Sequence, residues 1–439
     1  MTTDEGVLST GTRYRIDVPS GGNETLLLYS RPIPVGSDDP PWPDDDPIVA
    51  DLVGRGYAVA GTANTIFWPL EQAVANAPAL VELAGAHTTV RRVIPFGLSI
   101  GGLIAAAISA AYPSMVAGSL PMCGNLAGAV AVHNRELDIA FVIATLLGPS
   151  EALELVRISD PDRNLERARA VLEEARTNPA GRARLSLAAA VGRIPGWHAD
   201  SDPEPDPSDD EARVLNQIAW YDEVGFLVYF WAREQVERQA GGNPSWNEGV
   251  RYDELLEEAP ERGLVERLYA AASLSLADDL ARLAAAPRVT ANPSAVDYLE
   301  QNVVFDGNLH GIPTLTLHTD GDGLVTPDNE QAFAEVVHAA GSGDELRQLW
   351  VHRGGHCSFT MAELLTALEA LVTRIDDGTW PTLDPDRLNG TALRHGTAAN
   401  VLRTGTAATP GFFDYRPAAF PRPHDARHAR RRSEQVGTV

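Results

Sequence analysis

Apolar positions in the first 122 residues come in short bursts, separated by stretches with a helical period. Residues 14–19 (YRIDVP) and 25–30 (TLLLYS) read as strands, and the second is largely apolar, as suits a strand covered on both faces. A loop of prolines and aspartates follows (PVGSDDPPWPDDDP). Next come a short helix over 48–56 closed by Gly56, a strand over 57–63 (YAVAGTA) and a helix over 69–86 with Pro69 in its first turn. Residues 91–97 (RRVIPFG) predict a strand, 101–112 (GGLIAAAISAAY) a helix and 115–122 (MVAGSLPM) another strand. Strand and helix alternating at this spacing predict an α/β fold with a mostly parallel, doubly wound sheet.

The pattern changes near residue 125. From there to about residue 301 the periodicity is mostly helical, broken by an acidic, proline-rich loop (ADSDPEPDPSDDEA). Alternation then returns: a strand over 311–322 (GIPTLTLHTDGD), a helix over 329–341, a strand and loop over 346–359 (LRQLWVHRGGHCSF) and a closing helix over 361–375. The expected organisation is a core over 1–124, a large helical cap inserted at 125–305, the rest of the core at 306–375, and a C-terminal extension over 376–439. The extension lacks periodicity and ends in a basic, mobile tail (RPHDARHARRR).

Charge narrows the function. The 439-residue chain carries a net charge of -25, which repels phosphate backbones and anionic lipid. Neither nucleic acid nor a membrane surface is an expected partner; a small molecule is. All 35 basic residues are arginine, so Schiff-base chemistry and a phosphate-loop lysine are excluded, and no cofactor is expected. The first residues (MTTDEGVLST) lack the basic start and apolar centre of a signal peptide, and there is no apolar run of membrane-spanning length. A cytoplasmic address is the expectation. The two cysteines, Cys123 and Cys357, are too few for a zinc cluster, and no metal is expected.

Candidate chemistry centres on Gly97-Leu98-Ser99-Ile100-Gly101. An apolar strand before it and an alanine-rich helix after it are the context in which G-x-S-x-G presents a nucleophile on a sharp turn, near the positive end of the helix. A serine hydroxyl needs a base, and the base needs an orienting carboxylate. Asp320 and Asp322 both follow a strand; Asp322, between two glycines, lies deeper in the loop. His352 falls within the last strand or at its end, whereas His356 sits in the glycine-softened loop beyond it, within reach of Ser99. The expected catalytic set is Ser99, Asp322 and His356.

This order of serine, acid and histidine resembles the α/β-hydrolase superfamily. More narrowly the chain is similar to bacterial hydrolases of the prolyl oligopeptidase and secreted-esterase type, through segments such as ADLVGRGYAVAGTA, GLSIGG, LPMCGNLAG, HTDGDGLVTP and RGGHCSFT. The resemblance implies an oxyanion hole built from the N–H after the serine, here Ile100, and from a loop after the strand 25–30. That loop usually carries a His-Gly pair; here it reads Arg31-Pro32-Ile33, and proline has no N–H to give. The second donor is then expected from Arg31, Ile33 or a side chain. Arg31 can also bind a carboxylate. In some esterases of this kind a disulfide steadies the histidine loop; in a cytosolic protein two reduced thiols at Cys123 and Cys357 are the expectation.

Aromatic residues in the cap, Trp220, Tyr229 and Trp246, together with Trp68 after a strand end, are candidates to line an apolar substrate pocket. The leading expectation is a serine hydrolase of an ester, thioester or related acyl bond. A lyase eliminating a carboxylate from an acylated natural-product precursor, an acyltransferase, and a non-catalytic binding protein on the same fold are the alternatives.

Overall fold

The computed structural model describes residues 1–32, 36, 39–148 and 153–424. Nine strands form one sheet: β1 (Thr2–Val7), β2 (Arg13–Val18), β3 (Thr25–Ser30), β4 (Ala58–Thr62), β5 (Arg92–Leu98), β6 (Leu120–Met122), β7 (Thr314–Gly321), β8 (Leu346–Gly354) and β9 (Phe412–Phe413), in the order β1-β2-β4-β3-β5-β6-β7-β8-β9. β3 to β8 run parallel, while β1, β2 and β9 pair antiparallel at the edges. The mostly parallel, doubly wound sheet expected from the alternation is present.

Helices α1 (Pro47–Gly54), α2 (Leu70–Gly85) and α3 (Ile100–Ala111) begin close to where the pattern places them. Asp46 caps α1 by accepting from the Ile48 and Val49 N–H groups, each at 3.1 Å, and Pro47 fills the first turn, where no donor is needed. The apolar faces of α2, α3 and the helix Asp328–Ala339 pack on one side of the sheet; those of α1 and Met361–Asp377 pack on the other. Covered on both faces, the central strands are buried almost throughout, which is why TLLLYS reads as continuous rather than alternating.

Between β6 and β7 the chain is helical, beginning with α4 (Ala129–Leu147) and ending with the helix Pro293–Val303, and it carries a hydrophobic core of its own. The stretch Asp210–Ala240 runs as one continuous rod, containing two π-helical turns at Tyr221–Gly225 and Val228–Ala232.

Three features differ from expectation. Residues 2–7 form an edge strand, hidden in the sequence by its acidic side chains; charge on an edge blocks further pairing. The strand expected over 115–122 is reduced to Leu120–Met122. The extension after residue 376 is structured: it forms the helix Pro385–Arg394 and β9 on the sheet edge. At the start of the tail expected to be mobile, Arg422 pairs with buried Asp138 at 2.7 Å and His424 with Glu300 at 2.7 Å. Residues 425–439 of that tail lie outside the described residues.

Candidate active site

The site forms at the C-terminal ends of β5, β7 and β8, where ligands bind in open parallel sheets. Ser99 stands between β5 and α3 with φ 59° and ψ -126°. An L-residue held there costs about 1–3 kcal/mol, repaid by the surrounding packing. Its N–H donates to Met122 O at 3.0 Å, and its carbonyl accepts from Gly102 N at 2.9 Å, so the turn is pinned to β6. β3 and β5 are in register with Ser30 opposite Gly97, and a Cβ on Gly101 would overlap the Ser30 carbonyl oxygen. Glycine at 101 is what lets α3 approach β3 this closely. The Ser99 side is partly open to solvent.

Asp322 follows β7 by one residue and is fully buried. Its Oδ1 accepts from the N–H groups of Leu324 (2.9 Å) and Val325 (3.0 Å). Its Oδ2 faces His356 Nδ1 at 2.6 Å. Burial alone would raise the Asp322 pKa; the charge and hydrogen bonds of His356 and His318 outweigh it and hold the carboxyl below its ordinary range. His356 lies two residues beyond β8, with its side chain 19% exposed. The Asp322 contact fixes Nδ1, leaving Nε2 for other chemistry. Among the described residues the polar neighbours of the ring are Asp322 and, 3.6 Å from Nε2, Cys357 Sγ; the Ser99 hydroxyl is not hydrogen-bonded to it. Such nucleophile–base contacts commonly tighten only with substrate in place.

Asp320 and His352 form a separate pair. His352 Nδ1 meets Asp320 Oδ2 at 2.7 Å, Asp320 Oδ1 accepts from Arg353 N at 3.0 Å, and the His352 ring lies against Trp197. The two carboxylates that look equivalent in the sequence therefore serve different histidines.

The cysteines are joined: Cys123 and Cys357 form a disulfide with Cα atoms 5.7 Å apart, correcting the expectation of two free thiols. The reason is geometric. Cys123 follows β6 directly beside the Ser99 turn, and Cys357 follows His356, so convergence of the strand ends brings the sulfurs together across 234 residues of chain.

Two groups were given no part in the site by the sequence reading. His318, on β7, is fully buried; Nε2 donates to Val325 O at 2.8 Å and lies 3.6 Å from Asp322 Oδ2, and Nδ1 meets Glu330 Oε1 at 3.1 Å. Burial opposes its charge, but the hydrogen bonds to Asp322 and Glu330 prevail and raise its pKa to about 10, so the ring is a cation at neutral pH. Its position four residues before Asp322 was the available signal. Trp197 gave no signal; from the insertion it packs on Gly321 and Gly354, beside the acid and histidine loops.

The other predicted residues are placed as follows. Ile100 is the first residue of α3, so its N–H has no intrahelical acceptor. The Arg31 guanidinium donates to Pro41 O at 3.5 Å and stands 4.0 Å from Asp46. Ile33 lies outside the described residues. Trp68 is buried with its ring 4.5 Å from that of His133. Trp220 lies on Gly323, next to Asp322, and donates its N–H to Trp197 O at 2.9 Å. Tyr229 is buried in the insertion's core, where burial pushes its hydroxyl up to about 12. Trp246 is half-buried beneath the Arg422 guanidinium, 5.8 Å from its ring centre.

The mostly parallel, doubly wound sheet of this strand order, with a serine on the turn after β5, an acid after β7 and a histidine after β8, is the α/β-hydrolase fold. No protein-family profile matches it. It is 28% identical to an o-phthalyl amidase of Xanthobacter agilis over 439 residues, covering 93% of each chain. Among solved structures it is similar to the rice cell wall degrading esterase LipA of Xanthomonas oryzae (15% identity, 85% of this chain and 88% of that one, TM-score 0.39). It is also similar to feruloyl esterase B of Aspergillus oryzae (13% identity, 86% and 80%, TM-score 0.41).

Proposed function

We propose that the chain is a serine hydrolase of ester or amide bonds, with Ser99 as nucleophile, His356 as general base and acid, and Asp322 as the group that orients the imidazole. The Asp322–His356 pair, set beside the serine turn, is the observation that carries this reading. Ser99 Oγ attacks the acyl carbon, and its proton passes to His356 Nε2. Asp322 stabilises the imidazolium, which then protonates the leaving alcohol or amine. Water attacks the acyl-serine by the same route in reverse. The Ile100 N–H, at the positive end of α3, receives the oxyanion. A second donor would add about 2.7–4 kcal/mol of transition-state stabilisation; of the two residues expected to give it, Arg31 is described and Ile33 lies outside the described residues.

The o-phthalyl amidase relative favours an aromatic acyl group, of which an o-phthalyl amide is the first to try. The alternative, elimination, needs Arg31 to grip a departing carboxylate; that guanidinium stands 3.5 Å from Pro41 O and 4.0 Å from Asp46. A disulfide at the site suits an oxidising compartment better than the cytoplasm.

The test is hydrolysis of aryl esters and aryl amides in labelled water. Label in the released acid, lost in Ser99→Ala, supports hydrolysis. Activity surviving in Ser99→Ala, or an alkene product without label, contradicts it.

A further inference from the structure

The disulfide places two sulfurs against the imidazole that the proposed reaction needs free. Cys123 Sγ, Cys357 Sγ and a ring nitrogen of His356 all lie within 4.8 Å of one another. Cys357 Sγ is 3.6 Å from His356 Nε2 and 3.8 Å from Nδ1, so in the disulfide it lies beside the ring and not along the Nε2 lone pair. In a tetrahedral zinc site, bonds of about 2.3 Å to sulfur and 2.0 Å to nitrogen put those two ligand atoms about 3.5 Å apart, with the sulfur beyond the Nε2 lone pair, a position Cys357 Sγ takes by rotating about Cα–Cβ once the S–S bond is open. While the S–S bond is intact, neither sulfur is a thiolate and the set is not a ligand set.

We propose that reducing Cys123–Cys357 creates a binding site for one soft divalent cation such as zinc, held by both thiolates and His356 Nε2. A thiol or phosphine reductant supplies two electrons to the S–S bond and is itself oxidised; two protons complete two thiols. Both sulfurs then rotate about their Cα–Cβ bonds, the cation displaces the two thiol protons, and two thiolates with one M²⁺ leave the pocket neutral. Neutrality matters because Cys123 and Cys357 are 0% and 6% exposed, and an uncompensated charge there is costly. The support for the third ligand is already in place. Asp322 fixes the ring through Nδ1 and leaves Nε2 as the free ligand nitrogen, the carboxylate–histidine arrangement that supports protein-bound metals. The 19% exposure of the His356 side chain gives the ion a way in. Three protein ligands leave a fourth position open.

The cation would occupy the nitrogen lone pair that receives the serine proton, so the reduced protein is open to metal inhibition and the oxidised protein is protected. That consequence rests on the hydrolase reading; the metal site does not. Two cysteines understate the ligand set in the sequence because the third ligand is a histidine assigned to other chemistry.

Cobalt(II) titration tests the site without substrate, using the full chain reduced by a phosphine. These are the chain's two cysteines, so a thiolate-to-cobalt charge-transfer band reports this site alone. One equivalent of cobalt is expected to produce the band in reduced protein and none in oxidised protein. His356→Gln keeps both sulfurs and is expected to weaken binding at least about tenfold. Stoichiometric zinc is expected to abolish hydrolysis by reduced protein while sparing the oxidised form. The band forming in a protein that hydrolyses nothing in either state supports the site and removes the hydrolase reading. No band on reduction, affinity unchanged in His356→Gln, or loss of the native near-ultraviolet circular dichroism on reduction overturns the proposal.

Discussion

Asp322 holds His356 at 2.6 Å through one carboxylate oxygen, and that same oxygen stands 3.6 Å from a second, fully buried imidazole, His318. The other oxygen is occupied by two backbone N–H groups. The acid thus has no freedom to turn, and its negative charge is stabilised from two sides. Asp322→Asn keeps the shape but presents a neutral amide to His356 Nδ1. It is expected to lower kcat by about 10⁴, the cost of leaving the imidazole in the wrong tautomer. Steady-state kinetics on a variant with unchanged circular dichroism checks this; a fall of less than tenfold contradicts the assignment.

His318 makes a pH-dependent contribution to stability. Glu330, Asp322 and the Val325 carbonyl face its two nitrogens, and Trp350 packs on the ring. Its pKa is raised from 6.5 to about 10 in the fold, so protonation favours the folded chain. The stabilisation is complete below pH 6.5 and is lost as pH rises towards 10. The gap in melting temperature between the wild type and His318→Gln is therefore expected to be largest at pH 6 and to close towards pH 10. A gap that stays constant over that range contradicts a charged His318.

Much of this was legible in the chain and some was not, for identifiable reasons. Apolar bursts marked β3, β4, β5 and β7 because parallel strands covered on both faces need them. The Ser99 turn was readable because its glycines answer a local steric demand. β1 was missed because an edge strand tolerates charge, and β9 because two residues carry no period. The Cys123–Cys357 bond was left open because pairing across 234 residues depends on where strands end, not on spacing. Trp197 and Trp220 pack on glycines beside the acid and histidine loops through contacts between the distant insertion and the sheet, which no local pattern encodes.

The disulfide bears on both stability and catalysis. Closing so long a loop stabilises the fold by up to about 5 kcal/mol through the entropy of the unfolded chain. Cys357→Ser, measured with a metal chelator present, is expected to lower the denaturation midpoint accordingly. It also frees the loop that carries His356, and a displacement of about 1 Å costs on the order of 10² in rate. Unaltered kcat in this variant would show that the bond does not position His356.

Gly101→Ala tests the close approach of α3 to β3. The added methyl would overlap the Ser30 carbonyl, and neither the strand nor the helix has a flexible group to give way. A loss of about 3 kcal/mol is expected, at the upper end for overpacking, together with reduced activity as the Ser99 turn shifts. Urea denaturation reads the first effect and kcat the second. A variant as stable and active as wild type would mean that the turn is looser than described.

The most direct test of the account is covalent capture of the nucleophile. Full-length protein is treated with a fluorophosphonate, digested and sequenced by mass spectrometry. The account predicts one adduct per chain on Ser99, absent in Ser99→Ala and suppressed in His356→Gln. No adduct on the wild type, an adduct on another serine, or equal labelling of Ser99→Ala would contradict it.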